Sequence, residues 1–202
     1  MKVISYKCLK AYIKENLFNM KETAKIIGIK NKNKQSCAIT SADEKNSDEK
    51  KLRILFACSS GGHLAQIVTM KPWYEKHDRL WVTFDTPDAK NVLKEEKVFW
   101  AKHCPDRKIG GLVKSVLLAF KILFRLRPRP DIVVSTGASI GAIFIILARL
   151  LGIATLYIEV FDRIEIPSMS GRICYHVADS FGVQWQEQQK LYPKSTVVGA
   201  LL

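Results

Sequence analysis

The residues best suited to chemistry lie in three short segments, each of which follows an apolar run. They are Ser59-Ser-Gly-Gly-His63, Ser135-Thr-Gly-Ala-Ser-Ile-Gly141 and Glu159-Val-Phe-Asp-Arg163. An apolar run followed by such a segment is typical of a buried strand and the loop after it. In a parallel sheet the loops that follow the strands share one edge, where ligands bind. The sequence therefore predicts that the three segments meet at one edge.

The first segment has the features of a ligand loop. Adjacent Gly61 and Gly62 let backbone N–H groups approach a ligand, and the N-terminus of the following helix favours negative charge. Ser59 and Ser60 add hydroxyl donors. His63 either hydrogen-bonds a phosphate or takes a proton from an attacking hydroxyl, unless it only caps the helix or is solvated. The pattern is neither GxGxxG nor GxxxxGK[ST], so it indicates neither NAD nor ATP.

The second and third segments extend this predicted site. Thr136, Gly137 and Ser139 form a small-residue turn before an almost wholly apolar helix. That turn either shares an anion site with the first loop or is only the tight turn that precedes a buried helix. Glu159 and Arg163 follow a buried strand, where charge is costly unless it is solvated or paired. Three explanations remain open for these residues: they orient sugar hydroxyls, they bind a partner surface, or they belong to an ordinary surface loop.

The elements that position these segments follow from hydrophobic periodicity. Strands are expected at residues 52–58, 80–84, 98–101, 131–135, 154–159, 180–183 and 196–198. Helices are expected at residues 64–74, 88–95, 112–127, 140–150 and 169–178. Strands that alternate with helices and are apolar on both faces predict an α/β fold, with a Rossmann-like parallel sheet covered on both sides.

The helix expected at residues 112–127 carries an apolar face with basic margins. The face comprises Val113, Val116, Leu117, Phe120 and Phe124, and the margins comprise Lys114, Lys121 and Arg125. This pattern has two explanations. The face either lies on a lipid bilayer, or it packs on the sheet and leaves the lysines in water.

The first 51 residues differ in character from the rest. Residues 1–30 place apolar side chains at steps of three and four with lysines between them, which predicts a basic amphipathic helix. Such a helix either lies on an anionic bilayer or packs on protein. Residues 31–51 are too polar to fold and are expected to form a disordered linker. The folded domain is expected to span residues 52–202.

The formal net charge of +13 indicates a polyanionic partner. Nucleic acid, an anionic membrane surface and a phosphate-bearing substrate all fit. A nucleic-acid-binding protein is the rival from another class, but the basic residues are spread out and no recognised nucleic-acid motif occurs. No nucleic acid is therefore expected as a partner.

Cysteine content and hydropathy bear on the compartment. The five cysteines are widely spaced and include no CxxC, so neither a disulfide framework nor a zinc site is expected, and a reducing cytosol is favoured. No apolar run reaches the roughly 18 residues of a spanning helix, and the N-terminus lacks a signal peptide pattern. The protein is expected at the cytoplasmic face of a membrane, as a peripheral protein without metal or cofactor.

Several motifs occur in an order that resembles one known family. Besides the three segments they are Val133-Val-Ser-Thr-Gly137, Tyr157-Ile-Glu159, Ser170-Gly-Arg172, Ala178-Asp-Ser-Phe-Gly-Val-Gln-Trp185 and Tyr192-Pro-Lys194. From about Leu52 to Leu202 the chain resembles the small subunit family that recruits the catalytic partner of the two-part UDP-GlcNAc transferase of dolichol-linked glycan assembly. The resemblance is closest to its bacterial relatives in capsule and exopolysaccharide clusters.

The resemblance implies a fold similar to the N-terminal half of a GT-B glycosyltransferase. It implies an acceptor linked to polyprenyl diphosphate, a membrane surface, and a separate donor-domain subunit that binds the UDP-sugar. Ser59, Ser60, Gly61, Gly62 and His63 would face the acceptor diphosphate, with His63 as the catalytic candidate. Thr136, Gly137 and Ser139 would lie beside them, and Glu159 and Arg163 would line the cleft.

The chain is expected to be inactive alone, because about 150 residues after the linker make one domain. The partner is expected to touch Trp185 and Tyr192, since aromatic side chains suit an interface. A self-sufficient UDP-sugar transferase is the alternative.

Overall fold

Seven parallel strands form one sheet in the computed structural model, which describes residues 51–102 and 109–201. The strands are β1 (Arg53–Ala57), β2 (Asp78–Phe84), β3 (Lys97–Ala101), β4 (Ile132–Ser135), β5 (Ala154–Ile158), β6 (Ser180–Val183) and β7 (Thr196–Val197). Their order across the sheet is β3-β2-β1-β4-β5-β6-β7. The predicted α/β fold with a parallel Rossmann-like sheet is confirmed.

Helices cover both faces of the sheet. They are α1 (Gly62–Thr69), α2 (Lys71–Tyr74), α3 (Pro87–Val92), α4 (Ile109–Arg125), α5 (Ala138–Leu150), α6 (Met169–Val177) and a 3-10 helix at Glu187–Lys190. Buried side chains of α1 and α2 pack on one face, and those of α4, α5 and α6 pack on the other. Each crossover therefore returns the chain to the same edge of the sheet, as right-handed βαβ units require.

The central strands show no alternation of apolar and polar residues because both of their faces are covered. In β1, Ile54 and Phe56 join the core beneath α1, whereas Leu55 and Ala57 join the core beneath α5. All four side chains are fully buried. This is why the run that begins at Leu52 has no hydrophobic alternation.

Two local features differ from the sequence prediction. The single helix expected at residues 64–74 is divided into α1 and α2 at Met70, because Pro72 has no N–H with which to continue the helical ladder. The 3-10 helix at Glu187–Lys190 was not predicted, since its polar residues show no hydrophobic periodicity.

Two of the five cysteines lie among the described residues. Cys58 and Cys174 are buried free thiols, and burial raises the pKa of each to about 12. The predicted helix at residues 1–30 and all of the predicted linker at 31–51 except Lys51 lie outside the described residues. In the part of the chain that the structure describes, no helix combines the length and apolar content needed to cross a bilayer.

The contact between α5 and β1 gives a prediction about Gly141. A Cβ at Gly141 would overlap the Ser135 hydroxyl and lie 3.0 Å from the Ala57 carbonyl oxygen. Gly141→Ala should therefore lower the free energy of unfolding by about 1–3 kcal/mol, although alanine has the higher helix propensity. Thermal unfolding followed by circular dichroism measures this.

Gly110→Ala is the matched control, because a Cβ at that position in α4 meets no atom within 4 Å. It should be neutral or raise stability by up to about 1 kcal/mol. Equal unfolding temperatures for Gly141→Ala and the wild-type chain would show that α5 does not pack closely on β1.

Candidate functional site

The two glycine loops flank the point at which the strand order of the sheet reverses. β1 lies next to β4, and the strands that follow β1 extend to one side while those that follow β4 extend to the other. In open α/β sheets this arrangement leaves a crevice at the carboxyl ends of the two strands, where ligands bind. The loop after β1 ends at Gly61 and the loop after β4 ends at Gly137. The predicted meeting of the first two segments is thus observed.

Glycine is required at both turns by the backbone. Gly61 has φ +75° and Gly137 has φ +124°, conformations that L side chains rarely adopt. Each residue is the N-cap of a helix, α1 or α5, and no side-chain hydrogen bond caps either helix. The first N–H groups of a helix have no partner within it. The two loops therefore bring two helix N-termini to one crevice.

A reciprocal pair of hydrogen bonds joins the loops. The ring Nδ1 of His63 lies 2.9 Å from the Thr136 carbonyl oxygen, and the Thr136 hydroxyl donates to the His63 carbonyl oxygen at 2.9 Å. Thr136 is fully buried. It was predicted to lie beside the ligand, but its hydroxyl is used in this contact. Thr136 therefore holds His63 in place.

Gly137 and Tyr157 lie behind the His63 ring. A Cβ at Gly137 would be 2.9 Å from His63 Cε1 and 3.0 Å from the Tyr157 hydroxyl. Only a residue without a side chain allows the ring to lie this close to the second loop. Gly137 is buried and contributes space for the ring.

The protonation of His63 follows from its contact with Thr136. A carbonyl oxygen only accepts hydrogen bonds, so Nδ1 carries a proton, and in the neutral ring Nε2 is left with a lone pair. Burial lowers the pKa of His63, although the hydrogen bond to Thr136 and the nearby charges of Asp162 and Glu159 act in the opposite direction. At neutral pH, Nε2 of His63 can therefore accept a hydrogen bond or take up a proton.

Asp88 is a member of the site that the sequence prediction missed. Its carboxylate accepts a hydrogen bond of 3.3 Å from the Gly61 N–H. The nearby Thr86 hydroxyl is the main cause that lowers its pKa, and the Gly61 N–H contributes. Asp88 was assigned only to the start of a helix, because nothing local shows that α3 begins opposite the first loop. An anion at this turn must use N–H groups beyond Gly61.

Gly62 leaves such an approach open. Its backbone is exposed, and a Cβ at this position would meet no atom within 4 Å. Packing within the described residues therefore does not demand glycine here. Ser59 and Ser60 lie half-buried at the end of β1, and Ser139 lies half-buried in the first turn of α5. These hydroxyls remain candidates for ligand contact.

Glu159 does not line an open cleft, and that prediction is wrong. The residue is fully buried, and its carboxylate accepts hydrogen bonds from the Ser168 hydroxyl at 2.9 Å and the Tyr192 hydroxyl at 2.5 Å. The Val160 N–H also donates to it. Three donors make burial of the carboxylate acceptable, because they replace the hydrogen bonds of water.

Glu159 thereby fixes the loop that follows β5. Ser168 caps α6 through the Gly171 N–H, so the carboxylate connects the end of β5 to the start of α6. A Cβ at Gly171 would collide with the Glu159 carboxylate and the Tyr192 hydroxyl. The role of Glu159 is to position the backbone of residues 160–168.

Two buried glutamines hold the other side of this loop. The Gln188 side chain donates to the carbonyl oxygens of Val160 at 2.8 Å and Arg163 at 3.1 Å. The Gln184 side chain donates to the Glu159 carbonyl oxygen at 2.9 Å and to Gln66 at 2.6 Å. The sequence prediction missed both, since nothing in the neighbouring residues shows that these two amides are buried.

The outer part of this loop is exposed. The Arg163 side chain is 49% exposed, and its nearest acidic partner is Asp162 at 3.8 Å. Trp185 is half-buried and donates from Nε1 to the Phe161 carbonyl oxygen. Tyr192, by contrast, is only 2% exposed, so the prediction that it touches a partner is wrong. Its hydroxyl bonds Glu159, and its ring packs on Phe181.

Residues 107–201 match the family described as "Oligosaccharide biosynthesis protein Alg14 like". The chain is 33% identical over 182 residues to the rat protein named "UDP-N-acetylglucosamine transferase subunit ALG14", with 75% of this chain and 83% of the rat protein covered. The human protein of the same name is 35% identical over 94 residues, which cover 44% of this chain and 43% of the human protein.

Among solved structures, MurG from Acinetobacter baumannii is similar in fold. The TM-score is 0.55 at 18% identity, with 68% of this chain and 43% of the MurG chain covered. A likeness at this identity concerns the fold alone. It agrees with the predicted relation to one half of a two-domain GT-B glycosyltransferase.

The contact of His63 with Thr136 gives a prediction for magnetic resonance. We expect the ring to be neutral with its proton on Nδ1, and to gain a second proton only below the ordinary pKa of 6.5, because burial disfavours the charged form. The unfolded chain then binds this proton at higher pH. Stability contributed by neutral His63 is therefore present above pH 6.5 and is lost as the pH falls through the folded pKa.

Nitrogen–proton correlation spectra of the imidazole, recorded across this pH range and assigned with His63→Gln, show which ring nitrogen carries the proton and measure the pKa of His63. A proton on Nε2 in the neutral ring, or a pKa at or above 6.5, would contradict the geometry.

Proposed function

The chain belongs to the Alg14-like family of oligosaccharide biosynthesis proteins, and from this premise we propose that it is the acceptor-binding subunit of a UDP-sugar glycosyltransferase. The observation that carries the proposal is the crevice between β1 and β4, where two helix N-termini converge on a fixed histidine. Its acceptor is a glycan linked to polyprenyl diphosphate. The glycan belongs to a lipid-linked oligosaccharide or to a capsular or exopolysaccharide repeat unit.

The crevice suits an acceptor that carries a diphosphate. The N-terminus of α1 offers N–H groups at Gly62 and His63, and helix N-termini favour negative charge. Hydroxyl groups of Ser59, Ser60 and Ser139 add donors. The exposed guanidinium of Arg163 supplies positive charge near His63, since its charge contributes to lowering the pKa of that ring.

His63 acts as the general base in this proposal. An acceptor hydroxyl gives its proton to Nε2 of His63 while its oxygen forms a bond to the anomeric carbon of the donor sugar. The bond from that carbon to the diphosphate breaks, and UDP leaves with the electron pair. A neutral ring with its lone pair on Nε2 supports this role over that of a phosphate ligand, because such an atom has no proton to donate to phosphate.

A separate subunit binds the UDP-sugar. The rat and human relatives are named as subunits of a UDP-N-acetylglucosamine transferase, which supports a partner for this chain. The described residues contribute one sheet, which supplies one wall of a two-domain cleft. Trp185 and the exposed loop beside it lie on the same edge as the crevice, where a second domain would close over the acceptor.

The proposed location is the cytoplasmic face of a membrane, with the protein bound peripherally. The net charge of +13 supports attraction to an anionic surface. An acceptor with a polyprenyl tail resides in the bilayer, so the subunit that binds it works at the interface.

Replacement of His63 tests the base assignment. His63→Gln in the chain paired with its donor-domain partner should lower kcat roughly 10²-fold with little change in the KM of the acceptor, because a general base acts mainly in the transition state. The wild-type rate should fall at acid pH only below 6.5. The pKa of His63 is lowered from that ordinary value, so the base becomes protonated only there. Initial rates with a polyprenyl-diphosphate-linked acceptor measure both.

His176→Gln is the control, because that histidine is exposed in the last turn of α6. It should leave the rate unchanged. A raised KM with unchanged kcat in His63→Gln would assign the ring to phosphate binding instead.

Titration of UDP tests whether the donor site lies in a partner. The chain alone should show no heat of binding in the micromolar range, whereas the chain with its partner should bind, because the donor site requires the second Rossmann domain. Isothermal calorimetry with UDP and with UDP-N-acetylglucosamine makes the measurement. Micromolar binding by the chain alone would favour the self-sufficient transferase.

A further inference from the structure

Helix α4 carries apolar side chains on a buried face and also on an exposed face. Ala119, Ile122 and Leu123 are buried against the sheet. A second, exposed face carries five large apolar side chains at steps of three and four, which form the exposed ridge: Val113 (51% exposed), Val116 (38%), Leu117 (63%), Phe120 (51%) and Phe124 (39%). The rings of Phe120 and Phe124 stack with centroids 4.1 Å apart. The explanation in which this face packs on the sheet is excluded.

A contiguous exposed ridge of this kind marks an interaction surface. Single exposed apolar residues are normal on a protein, but contiguous ones are rare unless they bind something. Within the described residues, the side chains of the ridge are in contact with solvent.

The charges around the ridge have one sign. Residues 109–130 contain no Asp or Glu, and their five basic residues are Lys114, Lys121, Arg125, Arg127 and Arg129. All five are exposed. An apolar strip bordered only by cations is complementary to a surface that is apolar inside and anionic at its rim, which describes an anionic lipid monolayer.

A groove lies on another side of α4, at the sheet edge, and none of the five ridge residues lines it. It lies between β3, which is the edge strand, and α4, and has a volume of about 500 Å³. Val98, Phe99, Trp100 and Leu118 contribute apolar lining, and Lys121 and Arg125 add two cations. The volume is that of a small-molecule site. A hydrocarbon chain and an anionic headgroup are the two parts of one ligand that this lining fits.

We propose that the exposed ridge inserts into the cytoplasmic leaflet of an anionic bilayer and that the groove receives a lipid chain from it. Lys121 and Arg125 bind the phosphate groups of the lipids. The proposal deepens the membrane location of the proposed function and rests on it. Residues 1–30 are a poor occupant of the ridge because their basic residues outnumber their acidic residues, and a second copy would bring the same cations into contact.

The position of α4 orients the crevice with respect to the bilayer. The helix begins after the carboxyl end of β3, so its N-terminal end lies at the edge of the sheet that carries the glycine loops. Insertion along the ridge holds that edge next to the lipid headgroups. The diphosphate of an acceptor reaches the crevice while its tail stays in the membrane.

Binding of the full chain to vesicles tests the ridge. Leu117→Gln/Phe120→Gln should lower partitioning into phosphatidylcholine–phosphatidylserine vesicles at least about 10-fold, since two buried apolar side chains are lost. Lys121→Gln/Arg125→Gln should lower it about 10-fold on these vesicles and far less on phosphatidylcholine alone. Cosedimentation over a lipid titration measures the partitioning.

Two matched controls show whether a loss of vesicle binding depends on the position of the removed side chains rather than only on their hydrophobicity or charge. Leu150→Gln removes an apolar side chain that is 76% exposed at the end of α5, and Lys190→Gln/Lys194→Gln removes two exposed cations far from the ridge in sequence. Both should bind vesicles as the wild-type chain does. Losses in the controls equal to those in the ridge variants would overturn the proposal in favour of unspecific attraction.

Quenching of Trp100 tests the groove directly. Trp100 is 37% exposed and lines the groove, so lipids with brominated chains should quench its fluorescence, and Trp100→Phe should abolish most of the quenching. Trp100 fluorescence that brominated lipids leave unchanged would overturn the placement of a lipid chain in the groove.

Further readouts separate this proposal from the proposed function. With a water-soluble short-chain acceptor, the ridge variants should keep wild-type activity when paired, because the crevice is untouched. Unchanged vesicle binding in the ridge variants, with a loss in Lys10→Gln/Lys14→Gln, would assign membrane contact to residues 1–30 and leave the proposed function standing. Unchanged vesicle binding with lost assembly of the pair would identify the ridge as a protein interface.

Discussion

Two hydrogen bonds between His63 and Thr136 join the loops that follow β1 and β4, and the site is arranged around this pair. They span the point between β1 and β4 where the strand order reverses, so they hold two helix N-termini at one crevice. The same contact fixes which ring nitrogen carries the proton. Gly137 is indispensable to it, because any side chain there would displace the ring.

The loop that follows β5 is stabilised at its base by buried polar groups. Glu159 accepts hydrogen bonds from Ser168 and Tyr192, while Gln188 holds the backbone on the other side. These bonds leave the apex of the loop exposed, with Arg163 near His63. The loop therefore combines a rigid base with an accessible surface, as a binding loop on a parallel sheet requires.

Local patterns account for what the sequence predicted correctly. Most strands are rich in apolar residues, and the glycines at 61 and 137 stand where positive φ is needed, so both features are visible without knowledge of distant contacts. Contacts between distant segments were not visible. The burial of Glu159 depends on Tyr192, which lies 33 residues further along the chain, and the contact of Asp88 depends on where α3 begins. The exposure of Leu117 likewise depended on which face of α4 met the sheet.

Glu159, Gly171 and Tyr192 occupy one small volume, and this has a consequence for evolution. A larger residue at 171 would strike both of the others, and loss of the Tyr192 hydroxyl would remove a donor from a buried carboxylate. No one of the three can change without cost while the other two stay. We therefore expect them to be inherited as a set, so that lineages which replace one have also replaced its neighbours.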